Sequence, residues 1–323
     1  MFVGIREITA AKGRFSLIVG VVGLITLLVV MLTGLTAGLG KQNTSALEAL
    51  DPTSVTFQHQ SDPSYTTSRV DAREGSTPLG TGQTLMQKAD GSDESVAVLG
   101  LPEGTVLPGG EKLGDTAVAS RALGVSEGDE VTIGGASISV GSLTDDLYYS
   151  HSPVIWVPTA TWQKAVHTDA EGTVLLNTDD SGMPLKKSFS GLPAYGSEQG
   201  SLKMIQGFLY AIAALVTVAF LTVWTIQRTR DLAILKAIGA SNSYLRKDAL
   251  GQAAIILLVG VAAGALVALG LGLAAAKFAP FSLSVLSIVG PPLILWVLGM
   301  AGAWLATRSI TNVEPQLALG GIA

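Results

Sequence analysis

The sequence predicts an α-helical membrane protein with four transmembrane helices and an extracytoplasmic α+β domain between helices 1 and 2. Three observations carry this reading. Only 14% of the 323 residues are charged, where soluble domains carry about a quarter. Four charge-free runs are long enough to cross ~30 Å of hydrocarbon, which needs about 20 residues. A single long polar segment, rich in Gly, Pro, Ser, Thr and Asp, separates the first run from the other three.

Residues 1–14 read as a cytoplasmic, amphipathic N-terminal segment. Residues 15–50 read as transmembrane helix 1 and a stalk. The apolar stretch Phe15–Leu39 is too long for the ~7–15-residue core of a signal peptide, so it is expected to be an uncleaved anchor. Apolar spacing continues through Thr44, Leu47 and Leu50 and stops at Asp51-Pro52. Residues 51–196 form the α+β domain. Short β-type runs occur at Ser54–Gln58, Ser95–Leu99, Glu130–Ile133, Ser137–Val140 and Val154–Val157. Helical pieces are expected at Asp115–Leu123 and Thr159–Val166. Two alternating runs flank Gly134-Gly135, which predicts a β-hairpin. A second stalk and transmembrane helix occupy 197–226. A basic cytoplasmic loop follows at 227–248, then helices at 249–276 and 284–307, and a cytoplasmic tail at 308–323.

Charge sets the expected orientation. Nine basic residues flank the apolar runs on one side: Arg6, Lys12, Arg14, Arg228, Arg230, Lys236, Arg246, Lys247 and Arg308. Only Glu7, Asp231, Asp248 and Glu314 oppose them there, a net of +5. The whole chain is −5, so the remainder is −10. Cytoplasmic loops carry the excess of Lys and Arg. This places both termini and the 227–248 loop in the cytoplasm and the large acidic domain outside the cell membrane.

Enzyme chemistry finds no support. There are no cysteines, which excludes disulfides, thiolate zinc sites and cysteine nucleophiles. A phosphate-binding loop needs G-x-x-x-x-G-K-[ST]. At Gly40-Lys41, Gln42 replaces Ser/Thr and Leu35 replaces the first glycine. His59, His151 and His167 are widely separated and read as loop histidines rather than metal ligands. Asp145-Asp146 and Asp179-Asp180 read as solvated turns. No G-x-S-x-G elbow occurs. No intrinsic cofactor and no nucleic-acid partner are expected.

The most informative stretch runs from Gln227 to Ser241. Leu232, Leu235 and Ile238, with Ile234 on the flank, fall near one helical face. Arg228, Asp231 and Lys236 lie toward the other sides. Gly239 supplies a helix stop, and Ser241 or Asn242 can cap the next helix. Such a helix either rests on lipid headgroups or docks on a cytoplasmic partner and passes its motion into helices 2 and 3. Gly260, Gly264, Ala268 and Gly272 recur every four positions, and helix 1 carries Gly34 and Gly38. These small-residue ridges suit close helix packing, within one subunit or across a dimer.

The run Arg228-Thr229-Arg230-Asp231-Leu232-Ala233-Ile234-Leu235-Lys236-Ala237-Ile238-Gly239-Ala240-Ser241 resembles the coupling-helix motif of MacB/FtsX-type ABC permeases. That motif is usually written with Glu and Gly near Asp231 and Ala233, and the departure at Ala233 is mild. Leu123-Gly124-Val125, Gly128-Asp129 and the Gly134-Gly135 hairpin are similar to the external domain of that family. Arg308–Val313, Pro315, Leu317 and Ala318 look like its C-terminal tail. The resemblance implies a homodimeric permease in the lipid bilayer, joined to two copies of a cytoplasmic ABC ATPase subunit that binds ATP-Mg. It assigns coupling to Arg228, Arg230, Asp231, Leu232, Leu235, Lys236, Ile238 and Gly239.

Met1-Phe2-Val3, Arg6-Glu7-Ile8, Lys12, Arg14-Phe15, Leu32–Leu35 and Gly38-Leu39 look like the haem-exporting branch of these permeases. Haem is then the expected substrate. The apolar runs hold no histidine or cysteine, and ferric iron accepts anionic oxygen. Glu48, the first carboxylate after helix 1, is therefore the expected axial ligand, in a pocket lined by Leu35, Leu39, Met204 and Phe208. Three alternatives stand beside haem export: another lipophilic cargo, lipoprotein extraction, and an FtsX-like regulator of an extracellular cell-wall hydrolase.

Overall fold

The computed structural model describes residues 12–227 and 229–307. The chain forms two compact units. One is built by residues up to Ala37 with those from Ser201 onward, the other by Gly38–Gly200. Helix α1 (Lys12–Leu50) contributes to both.

The Gly38–Gly200 unit carries the sheet. In chain order it holds β1 (Ser54–Thr56), β2 (Ser76–Gln87), β3 (Asp93–Leu101), β4 (Ala117–Ser120), β5 (Glu130–Ile133), β6 (Ala136–Thr144), β7 (Tyr148–Tyr149), β8 (Ser152–Pro158), α2 (Thr159–Val166), β9 (Val174–Asn177), β10 (Met183–Pro184) and α3 (Leu185–Ser188). Pairing runs β10-β1-β9-β2-β3-β8-β4-β6-β5, and β5 returns to β2 through Met86 opposite Ile133. Six strands thus close on themselves, which removes most exposed edges. The β3–β8 and β4–β6 pairs are parallel; the others are antiparallel.

Side chains alternate across a strand, and here both faces find a core. On β3, Val96 and Val98 enter one core with Ile133, Ile155 and Trp162. The intervening Ala97 and Leu99 enter the other, with Trp156, Leu79 and, from α1, Ala46 and Leu47. That second core also receives Tyr65, whose hydroxyl lies 2.8 Å from Ser188 Oγ. Burial raises the Tyr65 phenol well above its ordinary pKa, so it stays protonated.

Three sequence expectations meet the structure differently. The Gly134-Gly135 hairpin is present, with φ of +56° and +82° joining β5 to β6, as a two-residue type I′ turn requires. Asp115–Leu123 is not a helix. It contains β4 and a 3-10 turn at Arg121–Leu123. All four β4 residues are buried, Val118 in one core and Ala117 and Ala119 in the other. A short apolar run of this kind carries no periodicity that separates strand from helix. Strand β2 carries no clear strand pattern in the sequence because Pro78, Gly80 and Gly82 interrupt it. The glycines serve α2: a Cβ at Gly80 would overlap the Trp162 ring, and one at Gly82 would press on Val166.

The remaining helices are α4 (Tyr195–Gln227), α5 (Thr229–Ala237), α6 (Asn242–Ala275) and α7 (Val285–Ala306). Four helices, α1, α4, α6 and α7, are long and apolar enough to cross a membrane. This is the predicted class: four such helices, with the sheet-containing unit between the first two. Hydroxyls within them are satisfied internally. Thr26, Thr33, Thr217 and Thr225 each donate to the carbonyl four residues back, the usual solution where water is excluded.

The small-residue ridge of α6 is used inside the subunit. Gly260 faces Val22, and Gly264 lies so close to Gly23 that a Cβ would overlap the Gly23 carbonyl. Its partner on α1 is therefore Gly23 and Thr26. Gly34 and Gly272 instead make room for the Phe281 ring, and Ser282 N–H donates to Gly34 O at 3.0 Å. A Gly264→Ala variant is expected to force α1 and α6 apart and to cost about 1–3 kcal/mol. A thermal melt of the detergent-solubilised protein checks this: a lowered midpoint is expected, and Gly270→Ala, which meets open space, should leave it unchanged.

Candidate functional site

Two places concentrate polar chemistry. The first is the segment between α4 and α6. Arg228 lies outside the described residues, and for Arg230, Asp231 and Leu232 the structure gives the α5 backbone only. Ala233 is wholly buried, which explains why only a small residue suits this position. Leu235 and Ala240 pack on the core that holds Phe15, Trp224 and Leu245. Lys236 is half-buried.

The helix ends as a Schellman motif. Gly239 N–H donates to Lys236 O, and Ala240 N–H donates to Leu235 O, both at 3.0 Å. The motif needs positive φ after the helix, and Gly239 has φ +101°. Ser241 then caps α6, its Oγ accepting from Tyr244 N–H at 3.2 Å; of the two expected caps, Ser241 is the one used. The apolar face differs from the expected one. Leu235 turns inward, whereas Ile234 is 46% and Ile238 77% exposed. These two are four residues apart and lie on one face. The tertiary fold takes Ala233 and Leu235 as its inner contacts and leaves the isoleucines outward. On the following helix Arg246 stacks on the Trp304 ring at 5.3 Å, and the buried Asp248 accepts from Gln252 Nε2 at 2.9 Å.

The residues expected to hold haem fall in different units. Glu48, in the Gly38–Gly200 unit, is exposed and accepts from Thr44 Oγ1 at 3.0 Å. Leu39 of the same unit is half-buried. In the helical unit Leu35 is half-buried, and Met204 and Phe208 are each 62% exposed.

The second polar place was not anticipated. Asn43 of α1, His151 of the β7–β8 turn and Glu198 in the first turn of α4 converge within the Gly38–Gly200 unit. Asn43 Nδ2 lies 2.9 Å from His151 Nε2 and 3.0 Å from Glu198 Oε2. His151 Nε2 lies 3.2 Å from Glu198 Oε2. The turn is anchored on α1: Ser150 N–H donates to Asn43 O and His151 N–H to Gln42 O. These residues are separated by more than a hundred and by nearly fifty positions in sequence, so no spacing motif could reveal them.

Comparison with known proteins bears on this geometry. Residues 204–315 match the FtsX-like permease C-terminal domain, a span that includes α5, the glycine turn and the α6 cap. Over 98% of each chain the sequence is 26% identical to a protein of Staphylococcus haemolyticus whose name assigns it to hemin transport as permease HrtB. A protein of the same name from Staphylococcus epidermidis is 25% identical, again over 98% of each chain. An uncharacterised ABC transporter permease of Mycobacterium tuberculosis is 22% identical over 99% of each chain.

The chain thus carries an FtsX-like permease C-terminal domain and is similar along its length to ABC transporter permeases. That similarity implies association with an ATPase subunit. The N- and C-terminal stretches that carried part of the sequence resemblance, before residue 12 and from Arg308 onward, lie outside the described residues.

The α5–α6 turn of the permease yields a prediction. Among the described residues no atom lies within 4 Å of a Cβ placed on Gly239, so Gly239→Ala tests backbone strain there. The cost of a left-handed conformation is about 1–2 kcal/mol. Amide exchange at Gly239 and Ala240 is expected to quicken roughly 5- to 30-fold, while exchange along α7 stays as in the parent protein.

Proposed function

We propose that the permease exports haem taken laterally from the membrane, driven by separate ATPase subunits acting on a permease homodimer. The observation that carries this reading is the end-to-end similarity to the two staphylococcal permeases named for hemin transport. Full coverage matters because the sheet-containing unit, and not only the C-terminal domain, is shared.

The coupling role is assigned to α5 and its turn. Ile234 and Ile238 expose an apolar pair on a segment that the positive-inside rule assigns to the cytoplasm, as docking on a soluble ATPase requires. ATP-driven closure of two ATPase subunits would push on α5 and α6. The motion would pass along α1 and α4, the two helices that flank the sheet-containing segment in sequence. Nothing in this scheme needs a wide channel. Haem would meet Glu48 as an oxygen ligand to ferric iron, with Leu35, Leu39, Met204 and Phe208 supplying apolar surface for the macrocycle.

ATPase activity of the permease–ATPase complex in lipid nanodiscs, titrated with haem, tests this directly. Saturable stimulation with a shifted Soret band is expected. Glu48→Gln should weaken haem binding at least about tenfold, or ~1.4 kcal/mol; an unchanged Soret band would remove Glu48 from the site. If haem neither binds nor stimulates, the export reading passes to another lipophilic cargo. The FtsX-like match also supports a regulator, which would capture a cell-wall hydrolase through residues 41–203.

The docking assignment has its own test. Ile238→Asp should weaken association with the ATPase by about tenfold or more. Because Ile238 is so exposed, the melting midpoint of the permease alone should hold. Retained affinity would move the docking surface elsewhere.

A further inference from the structure

The Asn43–His151–Glu198 cluster is not explained by hydrogen bonding alone. Asn43 Nδ2 carries two N–H groups but faces three acceptors: Leu39 O at 3.3 Å, His151 Nε2 at 2.9 Å and Glu198 Oε2 at 3.0 Å. If His151 Nε2 carries a proton it can donate to Glu198, but it then has no lone pair for Asn43. If it lacks the proton, its lone pair faces the Glu198 carboxylate. One edge of the triangle is unsatisfied in either state.

Two further observations point to the same place. Asn43 is wholly buried, and its Oδ1 has no hydrogen-bond partner among the described residues. An orphaned buried acceptor of this kind costs about 1–3 kcal/mol. The turn that delivers the imidazole is also strained. Ser150 and His151 have φ of +46° and +67°, at the two positions of a hairpin turn where Asn-Gly is favoured. Left-handed conformations of non-glycine residues cluster at ligand and functional sites.

The edges of the triangle measure 2.9, 3.0 and 3.2 Å. Donors bound at about 2.1 Å to an octahedral metal lie about 3.0 Å apart along an edge. We propose that Asn43, His151 and Glu198 form one face of a binding site for a divalent first-row transition ion. A half-turn of the Asn43 amide exchanges Nδ2 for Oδ1 in place. It gives up the long bond to Leu39 O and turns the orphaned oxygen onto the ion. The site then offers one imidazole nitrogen, one carboxylate oxygen and one amide oxygen, leaving three positions for water. The imidazole disfavours Mg²⁺ and Ca²⁺, which take oxygen ligands, and suits the series from Mn²⁺ to Zn²⁺. A bound ion ties α1 to the first turn of α4 through the β7–β8 turn. This site is independent of the cargo and of Glu48.

The test uses the full-length permease, purified without a polyhistidine tag, stripped with chelator and titrated with Co²⁺. Binding of one Co²⁺ per chain, with a d–d absorption spectrum of octahedral type and a saturable rise in melting midpoint, is expected. His151→Asn keeps a residue that tolerates the left-handed turn, and Glu198→Gln keeps the size of the side chain. Each should weaken Co²⁺ binding at least tenfold while leaving the metal-free melt close to the parent. His59→Gln and His167→Gln should bind as the parent does, and millimolar Mg²⁺ should not compete. Absence of saturable Co²⁺ binding by the parent protein would overturn the proposal. So would binding that survives His151→Asn, which would mark an adventitious ion only.

Discussion

Everything in this permease follows from the requirement that backbone polar groups in hydrocarbon find partners within the chain. It forces α1, α4, α6 and α7 to run as long helices and obliges their threonines to bond back onto the preceding turn. It also removes the hydrophobic effect as the force between helices, since lipid is as apolar as leucine. Close packing must take its place. The approach of α6 to α1 at Gly23, Gly260 and Gly264, and the Phe281 ring seated over Gly34 and Gly272, are the contacts that result.

Among the described residues, polar chemistry concentrates at two locations toward the ends of these helices. At one, α5 and its glycine turn are held on the helical unit by small or inward residues, Ala233, Leu235 and Ala240, so Ile234 and Ile238 remain exposed. A helix fixed on one side and apolar on the other suits a mechanical contact. At the other, Asn43, His151 and Glu198 bring three elements of the Gly38–Gly200 unit together. The strain of the Ser150–His151 turn is borne by a strand array closed on itself and buried on both faces.

The ligand chemistry expected of haem and that of the His151 cluster are distinct. Haem, the proposed cargo, asks for apolar area and an axial donor. The His151 cluster is compact and polar, with no room for a macrocycle between atoms about 3 Å apart. The proposed cation site is therefore chemically separate from the proposed cargo.

The membrane class, the four apolar helices, the Gly134-Gly135 hairpin and the helix stop at Gly239 are legible in the residues alone. Each of these is written locally, in an apolar run or in a glycine at a fixed offset. The remainder depends on contacts between distant elements. Strand β2 is hidden by Gly80 and Gly82, whose reason is the packing of Trp162 and Val166 from a distant helix. β4 could not be told from a helix because its burial on both faces erases periodicity. The outward face of α5 depended on which side the helical core claimed. His151, which reads as a loop histidine, meets its partners only through chain folding, because long-range contact leaves no trace in local spacing.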